Sequence, residues 1–260
     1  MRRRLDAELV RRGLATSRAV AVEAVAAGRV SVGGAPARSP ARQVGADEPI
    51  TVAAPAAQFV SRGGVKLAAA LDAFALDVHG LRCLDVGAST GGFTDCLLQR
   101  GAAHVIALDV GRGQLAWSLR NDARVTVMER TNVRLVEPDR VEPRPDFCVV
   151  DVSFISLRTI APSLLALTTD AADFVLLVKP QFEAGRARVG KGGIVRDPEV
   201  RQVVVEEVVR GLDEHGLGVR ALIATPITGA DGNVEYLAPA RRGPMTIDAP
   251  TLDAVAGMHV

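Results

Sequence analysis

The sequence predicts an open α/β sheet with helices on both faces, preceded by a small basic α+β unit. Three observations predict it. From Cys83 onward, strand-like apolar runs alternate with helix-like apolar runs, which is the pattern of a parallel sheet with helical crossovers. Residues 1–53 instead show two short helical patterns followed by short alternating strands. Between them "AAPAAQF", Ala53 to Phe59, reads as an Ala/Pro linker. The division expected is a first domain over 1–53, a linker over 54–60, a second domain over 61–240 and a tail over 241–260.

In the first unit Leu5, Leu9 and Val10 recur at helical spacing and Gly13 ends that helix. Ser17 is a helix-capping residue, so a second helix is expected from Arg18 to about Ala27, stopped by Gly28. Val30 and Val32 then alternate as a strand before the Gly33-Gly34 turn, and Ile50 with Val52 form another. Residues 1–45 hold nine arginines against Asp6, Glu8 and Glu23, a net of +6 in a chain whose total is +1. A basic head on a mildly acidic body points to nucleic acid, with Arg4, Arg11, Arg12, Arg18 and Arg29 expected on the exposed face. A solvated charged face is the plainer alternative.

In the second unit, strands are expected at Cys83–Val86, Val105–Asp109, Val125–Met128, Phe147–Asp151 and Phe174–Val178. A long helix from Pro198 to His215 follows. Two strands, Val219–Ala224 and Val234–Leu237, then close the sheet around the Gly229–Asn233 turn.

The stretch "CLDVGASTGGFTDCLL", Cys83 to Leu98, turns from strand to helix through small residues. A triphosphate loop would need Lys-Ser or Lys-Thr where Gly92-Phe93 stands. A dinucleotide fingerprint would space its glycines differently from Gly87-Ala88-Ser89-Thr90-Gly91-Gly92 and would not place Asp85 at the strand end. A nucleoside without pyrophosphate, such as S-adenosylmethionine, needs close backbone approach and no anion cradle, and glycines beside a carboxylate suit it. On this stretch alone a plain packing turn stays open as well.

Ligands of such sheets sit beyond the carboxyl ends of the strands. There the sequence places Asp85, Asp109, Asp151 and Lys179. Asp109, 22 residues after Gly87, is expected to accept from ribose hydroxyls, and Asn132 is expected near the adenine. Lys179 closes the apolar run "FVLLVK" before Pro180. Partial desolvation would lower its pKa from about 10.4 and let the amine take a proton, as a ribose hydroxyl under methylation requires. Enzymes acting on base nitrogens place Asn or Asp before Pro-Pro-aromatic after the fourth strand, and cytosine-carbon enzymes place a cysteine there. This chain has Asp151-Val152-Ser153-Phe154.

Composition narrows the classes further. Cys83, Cys96 and Cys148 lie unpaired in apolar runs, and His79, His104, His215 and His259 show no ligand spacing, so no metal is expected. Asp6, Glu8, Arg11 and Arg12 interrupt any signal peptide after Met1-Arg2-Arg3-Arg4, and no run approaches the ~20 apolar residues of a membrane span. A cytoplasmic protein is expected.

Residues 3–52, with Arg4-Leu5-Asp6, Gly13-Leu14, Ser17-Arg18, Gly28-Arg29-Val30 and Asp47, resemble the alpha-L RNA-binding motif of ribosomal protein S-four. The motifs "SRGGVKL", "DVGASTGGFTD", "DVGRGQLAWSLR", "ERTNVR", "DVSFISL", "VKPQFEAGR", "GKGGIVRDP" and "GNVEYL" together resemble the TlyA family, also labelled haemolysin A. These are ribosomal RNA 2'-O-methyltransferases related to the FtsJ/RrmJ enzymes. The resemblance implies a Rossmann-like methyltransferase fold, S-adenosylmethionine as cofactor, and cytidine 2'-hydroxyls of ribosomal RNA or ribosomal subunits as partners. It also implies a catalytic set at Lys66, Asp151, Lys179 and Glu235. Asp85, Gly87, Ala88, Ser89, Thr90, Gly91, Gly92, Phe93, Asp109, Asn132 and Asp151 are then expected at the donor. Arg186, Arg188 and Lys191, in the glycine-rich stretch Glu183–Pro198, are expected on a mobile lid that grips RNA. Where the family can carry Arg-Ala-Trp-Val in its linker, this chain has Ala57-Gln58-Phe59-Val60. The Arg-rich start and the residues beyond Leu237 lean towards the longer type of the family, which modifies both subunits. Two other classes compete: a non-catalytic RNA-binding assembly factor, which the complete set of four opposes, and a membrane-lytic protein, which no span or signal supports.

Overall fold

The computed structural model describes residues 2–54, 57–190, 192–229 and 231–257. Part of the expected linker (Pro55, Ala56), Lys191 and the side chain of Arg186 lie outside the described portion. The chain divides into two compact units, Met1–Ala57 and Gln58–Val260.

The first unit begins with β1 (Arg3–Arg4), α1 (Leu5–Arg11) and α2 (Arg18–Ala26). The Ser17 hydroxyl accepts from the Val20 N–H at 3.3 Å and fixes where α2 starts. The strands β2 (Val30–Val32), β3 (Ala35–Pro36), β4 (Gln43–Val44) and β5 (Ile50–Val52) follow. β2 pairs antiparallel with β3 and with β5, and β1 pairs with β4. Leu5 and Leu9 of α1, Ala21, Ala24 and Val25 of α2, and Val30 and Val32 of β2 form its core.

The second unit starts with α3 (Gly63–Ala73), then β6 (Arg82–Val86), α4 (Gly92–Gln99) and β7 (His104–Leu108). The short α5 (Trp117–Arg120) leads to β8 (Val125–Met128) and β9 (Phe147–Val150), then α6 (Leu157–Leu167) and β10 (Asp173–Val178). α7 (Pro180–Glu183), α8 (Pro198–Glu214), β11 (Leu217–Val219), β12 (Ile223–Ala224), β13 (Tyr236–Arg242) and α9 (Ala249–Ala256) complete it. The sheet runs β11-β13-β10-β9-β6-β7-β8, with β12 also on β13. β10, β9, β6, β7 and β8 are parallel, and β13 is antiparallel to its neighbours. Side chains alternate across the pleat. Leu84, Val86, Ile106 and Leu108 face a core closed by α6, α8 and α9, while Cys83, Val105 and Val149 face one closed by α3 and α4.

Two expectations are corrected here. The strands expected at Val219–Ala224 and Val234–Leu237 are instead three, and the last runs on to Arg242. "YLAPARR" includes a proline and two arginines that hide a strand from a hydropathy reading, yet Tyr236 to Arg241 pair with all of β10. The segment over 241–260, expected as a tail, is folded as far as the description extends. Leu252 and Ala256 of α9 are buried in the main core, and the Tyr236 hydroxyl donates to the Ala256 carbonyl at 2.8 Å. Among the described residues no helix is long and apolar enough to cross a membrane.

Candidate active site

The strand ends of the second unit converge on two adjoining clefts. The larger, about 410 Å³, is lined by Gly87 and Ser89 after β6, Asp109 and Val110 after β7, Gln114, Asn132, and Asp151 to Ile155 after β9. The smaller, about 110 Å³, is lined by Ser61, Gly63 and Lys66 of α3 and its entry, by Gly87 to Thr90, Gly92 and Phe93, and again by Asp151. Gly87, Ser89 and Asp151 belong to both.

The turn between β6 and α4 is tight for a reason that the chain itself shows. A Cβ on Gly87 would stand 2.3 Å from the Asp151 carbonyl oxygen, so only glycine lets the ends of β6 and β9 approach this closely. Ser89 takes a left-handed backbone, φ 47°, without being glycine, and its N–H donates to Asp109 Oδ2 at 2.8 Å. Asp109 Oδ1 accepts from the Gly111 N–H at 2.6 Å. The carboxylate thus ties two loops together, and each oxygen has a second lone pair beyond these bonds. Asn132 Oδ1 caps the following turn by accepting from the Arg134 N–H at 3.1 Å. Its amide nitrogen makes none of the hydrogen bonds found among the described residues.

Of the expected donor residues, Asp85 and Gly91 line neither cleft. Asp85 is fully buried, where Oδ2 accepts from the Thr94 hydroxyl at 2.7 Å and Oδ1 has no hydrogen-bond donor among the described residues. Burial pushes its carboxyl up to about 7, against the lowering effect of Thr94. Gly91 shapes the turn through its positive φ of 96°.

The four expected catalytic residues form two ion pairs. Lys66 pairs with Glu235, both nearly buried, across 169 residues of chain. Gln181 Nε2 donates to the other oxygen of Glu235 at 3.2 Å. Lys179 Nζ lies 2.5 Å from Asp151 Oδ1 and donates to the Ser153 hydroxyl at 3.2 Å. Asp151 Oδ1 is itself buried against this ammonium. Lys66 and Asp151, one member of each pair, line the same small cleft. Lys179, 13% exposed at its side chain, is thus held between the Asp151 carboxylate and the Ser153 hydroxyl.

The entry to α3, the helix that carries Lys66, is tightly packed. A Cβ on Gly64 would lie 2.3 Å from Phe59, so the aromatic of the expected linker is buried in the core against the start of α3. The Val60 N–H also donates to Asp95 of α4 at 2.7 Å.

Sequence reasoning passed over Phe154. It is 91% exposed, takes a left-handed backbone at φ 64°, and lines the larger cleft. Its ring stands 4.8 Å from that of Phe182 at 54°, and Lys179 Nζ is 5.7 Å from the Phe182 ring centre. A bulky residue in that conformation at a cleft edge marks a functional position. Its only signal in the sequence is its place three residues after Asp151. Gln114, Ser153 and Gln181 were passed over too, since nothing in their spacing sets them apart.

The basic residues divide unevenly. Asp6, buried, accepts from Arg4 at 2.9 Å and from Arg18 at 3.0 Å, and these bonds, Arg4 first, hold its carboxyl below the usual range. Glu8, also buried, is lowered to about 2, first by Arg11 and then by Arg12. Arg4, Arg11 and Arg18 keep about half or more of their side chains exposed. Arg12 and Arg29 correct the expectation of an open face, with side chains only 20% and 17% exposed. Arg12 spends its guanidinium on the carbonyls of Gly45, Ala46 and Glu48, and Arg29 pairs with Glu23.

The stretch expected as a mobile lid is pinned in several places. Arg188 makes a two-pronged pair with Glu207 of α8. Val195 is buried, its N–H donates to Asn233 Oδ1 at 3.0 Å, and Asn233 Nδ2 donates to the Gly193 carbonyl at 3.0 Å.

Comparison with known proteins gives matches along nearly the whole chain. The model of the FtsJ-like methyltransferase family matches residues 59–242, and that of the S4 domain matches residues 3–50. The 16S/23S rRNA (cytidine-2'-O)-methyltransferase TlyA of Mycobacterium tuberculosis is 54% identical over 239 residues, covering 90% of this chain and 88% of that protein. The 23S rRNA (cytidine-2'-O)-methyltransferase TlyA of Campylobacter jejuni is 33% identical over 179 residues, covering 68% and 69%. A solved structure from Streptococcus thermophilus, named as a hemolysin, superposes with a TM-score of 0.74 at 40% identity, covering 98% of this chain and 94% of that one.

Proposed function

Because the chain belongs to the FtsJ-like methyltransferase family, in its TlyA branch, and carries an S4 domain before that domain, we infer that it methylates the 2'-hydroxyl of cytidine in ribosomal RNA with S-adenosylmethionine as donor. The observation that carries this reading is the meeting of the Lys66–Glu235 and Lys179–Asp151 pairs at a small cleft that opens into a larger one. The larger cleft fits the donor: glycine backbone at Gly87, a carboxylate at Asp109 for ribose hydroxyls, and the Asn132 amide for a base edge. When bound, the donor supplies a methyl group on a sulfonium.

The protein's share is to place and activate the acceptor oxygen. The Lys179 ammonium donates to that oxygen in place of, or together with, its bond to Ser153, and fixes its lone pair for in-line attack. Asp151, which lines both clefts beside Lys179, takes the hydroxyl proton. Lys66, held by Glu235 and through it by Gln181, supplies the second positive charge at the cleft and faces the ribose-phosphate of the acceptor. Phe154, bulky and exposed beside this centre, offers its ring to the flipped base.

Both ribosomal subunits are included in the proposal, since the chain is more similar to the relative named for 16S and 23S RNA than to the one named for 23S alone. The test is methyl transfer from labelled donor to purified subunits, followed by mapping of the product. Methyl groups on cytidine 2'-oxygens support the reading, and methyl groups on base atoms would sink it.

A further inference from the structure

The loop from Asp151 to Ser156 is held chiefly from one neighbouring segment, Lys179 and the short α7 that follows it. Lys179 grips the near end through Asp151 and Ser153. Phe182 packs against Phe154 in the middle. At the far end Glu183 Oε2 accepts from the Ser156 hydroxyl at 2.6 Å, and Oε1 accepts from the Leu157 N–H at 2.8 Å.

Glu183 is 6% exposed, and its cation neighbour, Arg158, is 3.9 Å away. Burying a carboxylate is costly, and nothing in the chemistry at Lys179 uses it. Nor is helix capping a sufficient reason, because Ser156 already caps α6 by accepting from the Arg158 N–H at 3.2 Å. What Glu183 fixes is the capping residue itself, and therefore the point where the loop ends. Phe154 needs such an anchor. Its ring is exposed, so burial does not hold it, and its left-handed backbone would relax if either end of the loop were released.

We propose that Glu183 is a positioning residue for RNA methylation, which clamps Ser156 and Leu157 so that the Phe154 ring stays fixed where the acceptor base stacks. The proposal rests on the reading of Phe154 as that platform. Four proteins separate the two ideas: full-length wild type, Glu183→Ala, Phe154→Ala and the double variant, each assayed for single-turnover methylation of ribosomal RNA and for donor binding. Phe154→Ala alone should slow methylation about 10- to 100-fold with donor affinity within about twofold, the range expected when a base has no ring to stack on. Glu183→Ala should slow it about 10-fold, and should cost less than about twofold more once Phe154 is absent, because residues acting through one another are not additive. Glu183→Gln, which still accepts from the Leu157 N–H, should recover most of the rate. Multiplying effects in the double variant, or equal loss of donor affinity in Glu183→Ala, would overturn the positioning role while leaving the platform standing. An undiminished rate in Phe154→Ala would overturn both. If Glu183→Ala fails to fold, Ser156→Ala replaces it in the same cycle, with non-additivity again required.

Discussion

Asp85 holds its carboxyl out of solvent, where Oδ2 accepts from the Thr94 hydroxyl. Its pKa is raised to about 7, so the folded protein binds a proton that the unfolded chain has released once the pH passes roughly 4. The native state is then the more protonated one, and stability falls as pH rises across roughly 4 to 7. Thermal melts of Asp85→Asn should show a flatter pH dependence over that window than wild type; parallel curves would contradict it. Lys179, beside Asp151, is the group proposed to hold the acceptor oxygen. Lys179→Met keeps the stem and removes the charge, and should lower the methyl-transfer rate by roughly 10²–10⁴-fold, as for a positioned acid–base group. Donor affinity should hold, since Gly87 and Asp109 are untouched. Single-turnover kinetics with donor titration check both, and near-wild-type transfer would remove Lys179 from the mechanism.

Helix α9 is the element that a reading by composition leaves out. Leu252 and Ala256 are buried and Tyr236 bonds to its last turn, so the helix closes the face of the core that α8 leaves uncovered. Removing residues 248–260 should cost roughly 2–5 kcal/mol and lower the melting temperature by roughly 5–15 °C, with a gain in dye-detected apolar surface. An unchanged melt would make the helix an ornament. The glycine-rich stretch before α8 behaves as an element in its own right, since Arg188 is paired with Glu207 and Asn233 grips both sides of Ile194. Asn233→Ala should therefore reduce use of RNA more than use of donor, read as a rise in KM for ribosomal RNA at constant donor Kd. Equal loss of both would place Asn233 in the donor site instead.

For the whole molecule the charge is unevenly shared, with a net of +6 over residues 1–45 against +1 in total. A protein reduced to residues 58–260 retains both clefts and should bind donor with little change. It should bind ribosomal RNA more weakly, and its log–log salt slope should be shallower by about 0.7–0.9 for each phosphate that the first unit neutralises. Filter binding across a range of salt measures this, and an unaltered slope would show that the first unit neutralises no phosphates.

Periodicity and turn chemistry were enough to place α1, α2, the five parallel strands and α8, because an amphipathic repeat, a Ser17 cap or a Gly28 stop acts within a few residues. The tight turn of small residues after β6 was legible for the same reason: Gly87 and its neighbours are contiguous. So were the acids at strand ends, since the sheet topology alone brings Asp109 and Asp151 to one rim. What the tertiary structure decided are the partners. Lys66 meets Glu235 over 169 residues, Arg12 is consumed by carbonyls beyond residue 44, Asp85 turns away from the clefts, and Phe154 is left standing in solvent. Each outcome is a competition between distant groups for the same space or the same hydrogen bond, and a local pattern holds no record of which group wins.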